Sequence, residues 1–325
     1  MKKNRLIIAG ILILSILVSG AGYILYRFER SIPPEYRIYD MRNTAYFALI
    51  ENRNFDALLL YSYLLMQKKI PIYYNNRGLV FKRWKMYRMA IREYSKALEI
   101  DQYFDFAYLN RACAYELLGK YNKAIDDYTN AILLWPDRED LYIRRGKAYL
   151  SNKQYLDAIS DFNTAIKLNP YRSDGYFNRG NAYIKLQLYE YAIRDFTIAI
   201  DKNPMNNEPY FMRGLVHYYL GEYDKAIEDY SSSIRIKPIN TNAYNNRGYA
   251  YASKENYEKA IEDFTMAIII NSPGDANPYY DRGVCYAAIG QYENALRDIL
   301  KAKELGYPVK KEVIEEIKSN IKKSK

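Results

Sequence analysis

Apolar residues along this chain fall at helical spacing in paired stretches, each pair joined by a short polar turn such as Gly119-Lys120 or Gly221-Glu222. The pairs repeat. The phrase Tyr176-Phe177-Asn178-Arg179-Gly180-Asn181-Ala182-Tyr183 returns with edits, its Arg standing at 77, 111, 145, 179, 213, 247 and 282, in steps of 34 residues five times and then 35. A second phrase opens with Ala90, Ala124, Ala158, Ala192, Ala226, Ala260 or Ala295, thirteen residues behind each Arg. Proline closes most units, at 136, 170, 204, 238 and 273, where it stops the preceding helix and fixes the turn. A period of this length predicts one supersecondary unit stacked on copies of itself.

The units run 71–104, 105–138, 139–172, 173–206, 207–240, 241–275 and 276–308. The extra residue of the longer step falls in Asn271-Ser272-Pro273-Gly274, a loop. Residues 38–70 read as a degenerate first repeat, with Asn54-Phe55-Asp56-Ala57-Leu58 in the place of the second phrase and no Arg-Gly in its first half. Residues 309–325 carry Val313, Ile314, Ile317 and Ile321 on one face, which predicts a capping helix.

Ahead of the array, Leu6 to Tyr26 is an uncharged stretch of 21 residues, long enough as a helix to cross a hydrocarbon core of about 30 Å. Lys2, Lys3 and Arg5 precede it and Arg27 and Arg30 follow, so residues 1–30 are expected to be a basic tail and an uncleaved single span. Ser19-Gly20-Ala21 would serve as a cleavage site, but the apolar run continues past it; cleavage would give a secreted form. The short basic tail favours repeats on the extracytoplasmic side. Residues 31–37, with Pro33 and Pro34, are expected to form a stiff extended linker.

Charge changes this picture little. Of a formal net charge of +10, residues 1–37 and 301–325 hold +4 each and the array between them only +2. A groove that tracks phosphates would carry the charge itself, so nucleic acid is an unlikely partner; anionic lipid or nucleic acid held electrostatically by the basic ends is the alternative reading. Cys113 and Cys285 are the only cysteines, five repeats apart, which implies no disulfide framework. His217 is the sole histidine and takes an aromatic core place. No phosphate loop, metal-ligand cluster or nucleophile elbow is present, so the sequence offers no catalytic, cofactor or metal residues and is not expected to be an enzyme.

The units resemble the tetratricopeptide repeat, a helix–turn–helix of 34 residues. Tyr142, Gly146, Tyr149, Ala158, Phe162, Ala165 and Pro170 occupy the signature places of the third unit. The resemblance covers about residues 71–308 and implies an all-α fold, a right-handed α-solenoid (superhelix), here preceded by a single transmembrane helix. It also implies a scaffold for protein–protein interaction. Departures are Arg where the family usually has Leu before the Gly, Ala112 for that Gly, His217 for the Tyr and Ile299 for the second aromatic. Small residues at the Gly and Ala places let backbones approach, and the aromatics fill the space between units.

Sixteen residues after each such Arg stands an acid: Arg77 and Glu93, Arg111 and Asp127, Arg145 and Asp161, Arg179 and Asp195, Arg213 and Asp229, Arg247 and Asp263, Arg282 and Asp298. The regularity predicts that each Arg reaches an acid on a packed second helix, in its own or an adjacent unit.

In the family, first helices line a groove that takes an extended peptide. The residue before the Arg, placed on that groove by resemblance, is Asn76, Asn110, Arg144, Asn178, Met212, Asn246 and Asp281 in turn. The amides resemble the asparagine ladder of the O-linked N-acetylglucosamine transferase superhelix, and a carboxamide suits a peptide bond because it both donates and accepts. Arg144 and Met212 interrupt the row. Asn181 is a further amide candidate; Phe177, Phe211, Leu215, Tyr218 and Tyr219 are candidate apolar anchors, and Asp140, Asp174 and Glu208 an acidic margin. The Lys and Asn spacing of the co-chaperone carboxylate clamp is absent, so chaperone C-terminal tails are not expected as partners.

Overall fold

The computed structural model describes residues 34–271 and 274–323. The expected membrane span at 6–26, and Ser272 and Pro273 of the expected loop insertion, lie outside the described residues. Among those described there are seventeen α-helices and no strand. No helix of them is long and apolar enough to cross a membrane.

Two compact units divide the described residues, the first ending at Gln154 and the second starting at Tyr155. The first holds α1 (Pro34–Ile50), α2 (Asn54–Gln67), α3 (Pro71–Arg83), α4 (Tyr87–Ile100), α5 (Asp105–Glu116), α6 (Tyr121–Leu134) and α7 (Glu139–Ser151). The second holds α8 (Tyr155–Leu168), α9 (Ser173–Lys185), α10 (Tyr189–Lys202), α11 (Asn207–Tyr219), α12 (Tyr223–Ile236), α13 (Thr241–Ser253), α14 (Tyr257–Asn271), α15 (Asn277–Ala288), α16 (Tyr292–Glu304) and α17 (Lys311–Lys323). Helix α1 begins at Pro34, inside the stretch expected to be an extended linker. Proline at a first helical position loses no intrahelical bond, and its fixed φ suits the helix, so Pro34 can start a helix here.

Within each unit every helix packs on the next in sequence, and first helices of neighbouring repeats also touch one another: α3 on α5, α9 on α11, α11 on α13. Tight approach within a hairpin depends on glycine. A Cβ at Gly180 would stand 2.7 Å from the Phe196 ring, and one at Gly78 2.5 Å from the Tyr94 ring. Those rings, with Tyr61, Tyr128, Tyr230, Phe162 and Phe264, are fully buried and form the spine of their units. Burying one such ring contributes about 2–3 kcal/mol. The capping helix α17 lays Ile314 and Ile317 against Ala295 and Ile299.

Turns between paired helices share one backbone conformation. Lys85, Gly119, Lys153, Gln187, Gly221, Glu255 and Gly290 all have positive φ, from 59° to 76°. The left-handed position is thus kept at every repeat, although glycine holds it at only three.

Candidate interaction face of the first helices

The arginine of each repeat does more than meet one acid. Arg179 donates from Nε and Nη2 to the two carboxylate oxygens of Asp195, both at 2.7 Å, and from Nη1 to Asn163 Oδ1 at 2.6 Å. Asp195 belongs to its own repeat and Asn163 to the second helix of the repeat before. The arrangement recurs. Arg111 grips Asp127 and Ser95, Arg213 grips Asp229 and Thr197, Arg247 grips Asp263 and Ser231, and Arg282 grips Asp298 and Thr265. Arg77 binds Glu93 and Ser62 in the same way. Arg145 donates to Thr129 at 3.0 Å; it lies in the first unit and Asp161 in the second.

Each clasp therefore ties three helices and spans a repeat junction. Thr197, Ser231 and Thr265 pass their own hydroxyl protons to the carbonyls of Ile193, Ile227 and Ile261, which leaves the oxygen aimed at the arginine. Tyrosines three before and four after close over the guanidinium: Tyr176 and Tyr183 sit 5.7 and 5.9 Å from Arg179, and Tyr244 and Tyr251 flank Arg247 likewise. The hydrogen bonds to Asp195 raise the Arg179 guanidinium further above its ordinary range. The sixteen-residue spacing showed the acid. The hydroxyl or amide that recurs sixteen residues before most of these arginines carried the second half of the clasp and was overlooked.

His217 is buried, as a core ring would be, but it also holds a partner: Nδ1 is 2.5 Å from Glu222 Oε2, and Nε2 is 3.9 Å from Asp229. Contact with His217, then with Lys225, keeps the Glu222 carboxyl below its ordinary range. Cys113 and Cys285 are both free thiols. Among the described residues no group of three His, Cys, Asp or Glu is arranged to hold a metal ion.

One residue before the arginines, the structure separates the amides. In the first unit they bond to each other. Asn110 donates to Asn75, Asn75 to Asn76, and Asn76 to the Tyr61 hydroxyl, at 2.9, 3.1 and 2.9 Å. Asn75 and Asn76 are buried, so they tie first helices together and offer no open ladder. Arg144 is exposed and leans toward Asp140, itself held by Arg138.

In the second unit Asn178 is buried and spends its amide proton on the Asp174 carbonyl one turn back. Off that row, Asn181 on α9 stands two residues after Arg179 and Asn245 on α13 two before Arg247; both bury side-chain oxygens that have no hydrogen-bond partner in the structure. Met212 packs against Ala192, Phe196 and Val216. Asn246 is half-buried. Phe177 and Phe211 are not free anchors: they pack on Phe196 and Tyr230, ring centres 5.9 and 5.7 Å apart, because the spine needs that space filled. Leu215 and Tyr218 are half-buried; Tyr219 is exposed, its ring in a run with Tyr189 and Tyr218. Of the acidic margin, Asp174 pairs with Arg172 at 2.9 Å, and Glu208 is exposed.

Sequence models of the tetratricopeptide repeat match residues 106–138 and 241–272, and again 72–104 and 276–305; a related TPR repeat model matches 146–187 and 214–254. No curated protein matches the chain. Among solved structures, a tetratricopeptide repeat protein from Parabacteroides merdae is 23% identical with a TM-score of 0.56, covering 77% of this chain and 98% of its own. The C-terminal part of a TPR repeat-containing protein from Cytophaga hutchinsonii is 20% identical with a TM-score of 0.59, covering 73% of this chain and 97% of its own. These two share the fold. YrrB, described as a TPR protein with an unusual peptide-binding site, is 26% identical over 55% of this chain and 92% of its own, with a TM-score of 0.44. Repeat length, hairpin geometry, the small and aromatic signature positions and the matching repeat models agree: the chain belongs to the tetratricopeptide repeat family.

Proposed function

We propose that this chain is a membrane-tethered scaffold whose first helices hold an extended segment of a partner protein. Proteins of this family generally act as protein–protein interaction scaffolds. The observation that carries the reading is the pair of buried, unpartnered carboxamide oxygens at Asn181 and Asn245. A buried acceptor left without a donor costs about 1–3 kcal/mol, and the backbone N–H groups of a peptide supply such donors without demanding a sequence. Exposed Tyr219 adds an apolar contact on α11, the helix that touches both α9 and α13. The apolar stretch 6–26 supports the tether, and its short basic tail supports repeats outside the cytoplasm.

Proximity labelling in cells expressing the chain would name candidate partners. Binding of a labelled partner to the full chain in lipid nanodiscs should then persist in high salt. It should fall at least tenfold with Asn181→Ala, Asn245→Ala and Tyr219→Ala combined. Binding that collapses in salt and survives these substitutions would instead assign the interaction to the basic ends. Protease access in whole cells checks the sidedness.

A further inference from the structure

The row beside the arginines ends, on α15, in a carboxylate where other repeats have an amide, a cation or an apolar group. Asp281 differs from the acids of the clasps. Each acid described there meets an arginine, whereas Asp281 accepts one hydrogen bond, from Tyr249 Oη at 2.5 Å. Among the described residues no lysine or arginine lies within ion-pair range of it. Arg247 and Arg282, nearby on α13 and α15, are committed to Asp263 and Asp298. Burial holds the Asp281 carboxyl above its ordinary value of 3.8, and Asp275 adds to the rise. Tyr280 and Tyr307 stand stacked on the same part of the unit, ring centres 4.2 Å apart and planes 21° apart. Burial raises the Tyr307 phenol, and Tyr280 and the charge of Asp281 add to the rise. Asp281 is only half-buried, which leaves the site a side open to solvent.

A carboxylate stripped of part of its water, with no counter-charge, is a standing cost that a cation from outside would relieve. An aromatic ring nearby, that of Tyr307, favours the same sign. One carboxylate and neutral phenols fall well short of the six to eight oxygens a calcium ion takes, so a metal is a poor occupant. A guanidinium fits better, because it is weakly hydrated, stacks on aromatic rings and donates in a planar fork to a carboxylate. We propose that Asp281, beside Tyr249 and the Tyr280–Tyr307 stack, receives an arginine side chain of the bound polypeptide, lysine being the weaker substitute. This deepens the peptide-binding reading above and rests on it.

The test uses the full chain in nanodiscs and saturation-transfer NMR with two probes, Nα-acetyl-arginine amide and its neutral analogue Nα-acetyl-citrulline amide. The arginine probe should half-saturate the protein at a concentration on the order of tenfold below the citrulline probe. Asp281→Asn, which keeps an acceptor for Tyr249, should abolish that difference while leaving the melting temperature unchanged or higher. The Asn181→Ala, Asn245→Ala variant should keep the difference, so a failed peptide groove and a failed arginine site give different results. Equal binding of the two probes by the unsubstituted chain would overturn the assignment, as would discrimination that persists in Asp281→Asn.

Discussion

Two faces of the same helices, one residue or roughly 100° apart, have opposite habits. On one, the arginine clasp recurs in both units with the same donors, the same bidentate acid and the same kind of acceptor on the preceding repeat. On the other, the residue is an amide, a cation, a thioether or a carboxylate, and even the amides behave differently. Asn76 and Asn110 are bonded through Asn75, whereas Asn178 bonds its own helix. A feature that every repeat shares serves the stack, since each junction poses the same packing problem. A feature that varies from repeat to repeat is where a ligand is recognised.

The largest test of this contrast is on the clasp. Arg179→Leu leaves Asp195, almost wholly buried, without its counter-charge. Loss of one partner from a buried pair costs about 3–5 kcal/mol, whereas removing both together is often nearly neutral. Urea unfolding followed by tyrosine fluorescence should show that loss for the single variant and recovery of most of it in Arg179→Leu with Asp195→Leu. An unchanged midpoint in the single variant would mean that the clasp is a solvated surface pair and the contrast between the faces is false.

Next come the amides of the first helices in the two units. Asn76→Ala breaks a buried chain of three hydrogen bonds and should cost about 1–2 kcal/mol. Asn181→Ala and Asn245→Ala remove oxygens that bond nothing, so without a partner they should cost no stability and raise it by up to about 1 kcal/mol. Equal losses at Asn76 and Asn181 would erase the distinction between the units.

The repeat made most of the fold legible before any coordinates. The 34-residue step gave the hairpins, and the Gly and aromatic places gave the spine, because a helix pair that must pack on a copy of itself restricts those positions to small or large residues. The acid of each clasp was legible for the same reason. The face of the row was less so. Spacing puts Asn76 and Asn178 beside the arginine, but whether a side chain bonds its neighbour, its own helix or nothing depends on rotamers and on what stands opposite. Phe177 and Phe211 read as anchors because nothing in the sequence says that the rings behind them, Phe196 and Tyr230, need covering. The start of α1 at Pro34 was misjudged by weighing the stiffness of Pro-Pro above the aptness of proline for a helix's first turn.

A smaller effect, and one of sign, concerns Asp281. Its carboxyl is raised in the folded chain above the 3.8 of an ordinary aspartate, chiefly by desolvation. Protonation therefore favours the fold, and the stability it lends is complete below 3.8 and is lost as pH rises through the raised folded value. Asp281→Asn, neutral throughout, escapes this loss. The variant should be the more stable chain at pH 7, and the gap should close as the pH falls toward 3.8. Melting curves across that range check it; a variant less stable at pH 7 would place Asp281 among the structural acids and not on the variable face.

The smallest effect lies in the turns, where conformation repeats although the residue does not. Gln187 and Gly221 hold the same left-handed position, at φ of 59° and 75°. An L-residue there bears about 1–2 kcal/mol of steric cost that glycine avoids, while glycine loses more backbone freedom on folding, roughly 0.4–1 kcal/mol. Gln187→Gly should thus raise stability by less than about 1 kcal/mol, and Gly221→Ala should lower it by about 1 kcal/mol. Opposite signs at equivalent places, read from urea midpoints, would show that the stack fixes its backbone at each turn and leaves the side chain free to vary. Equal signs would mean that Gln187 makes a contact of its own, and the turn would then join the variable face as a place where individual repeats are distinguished.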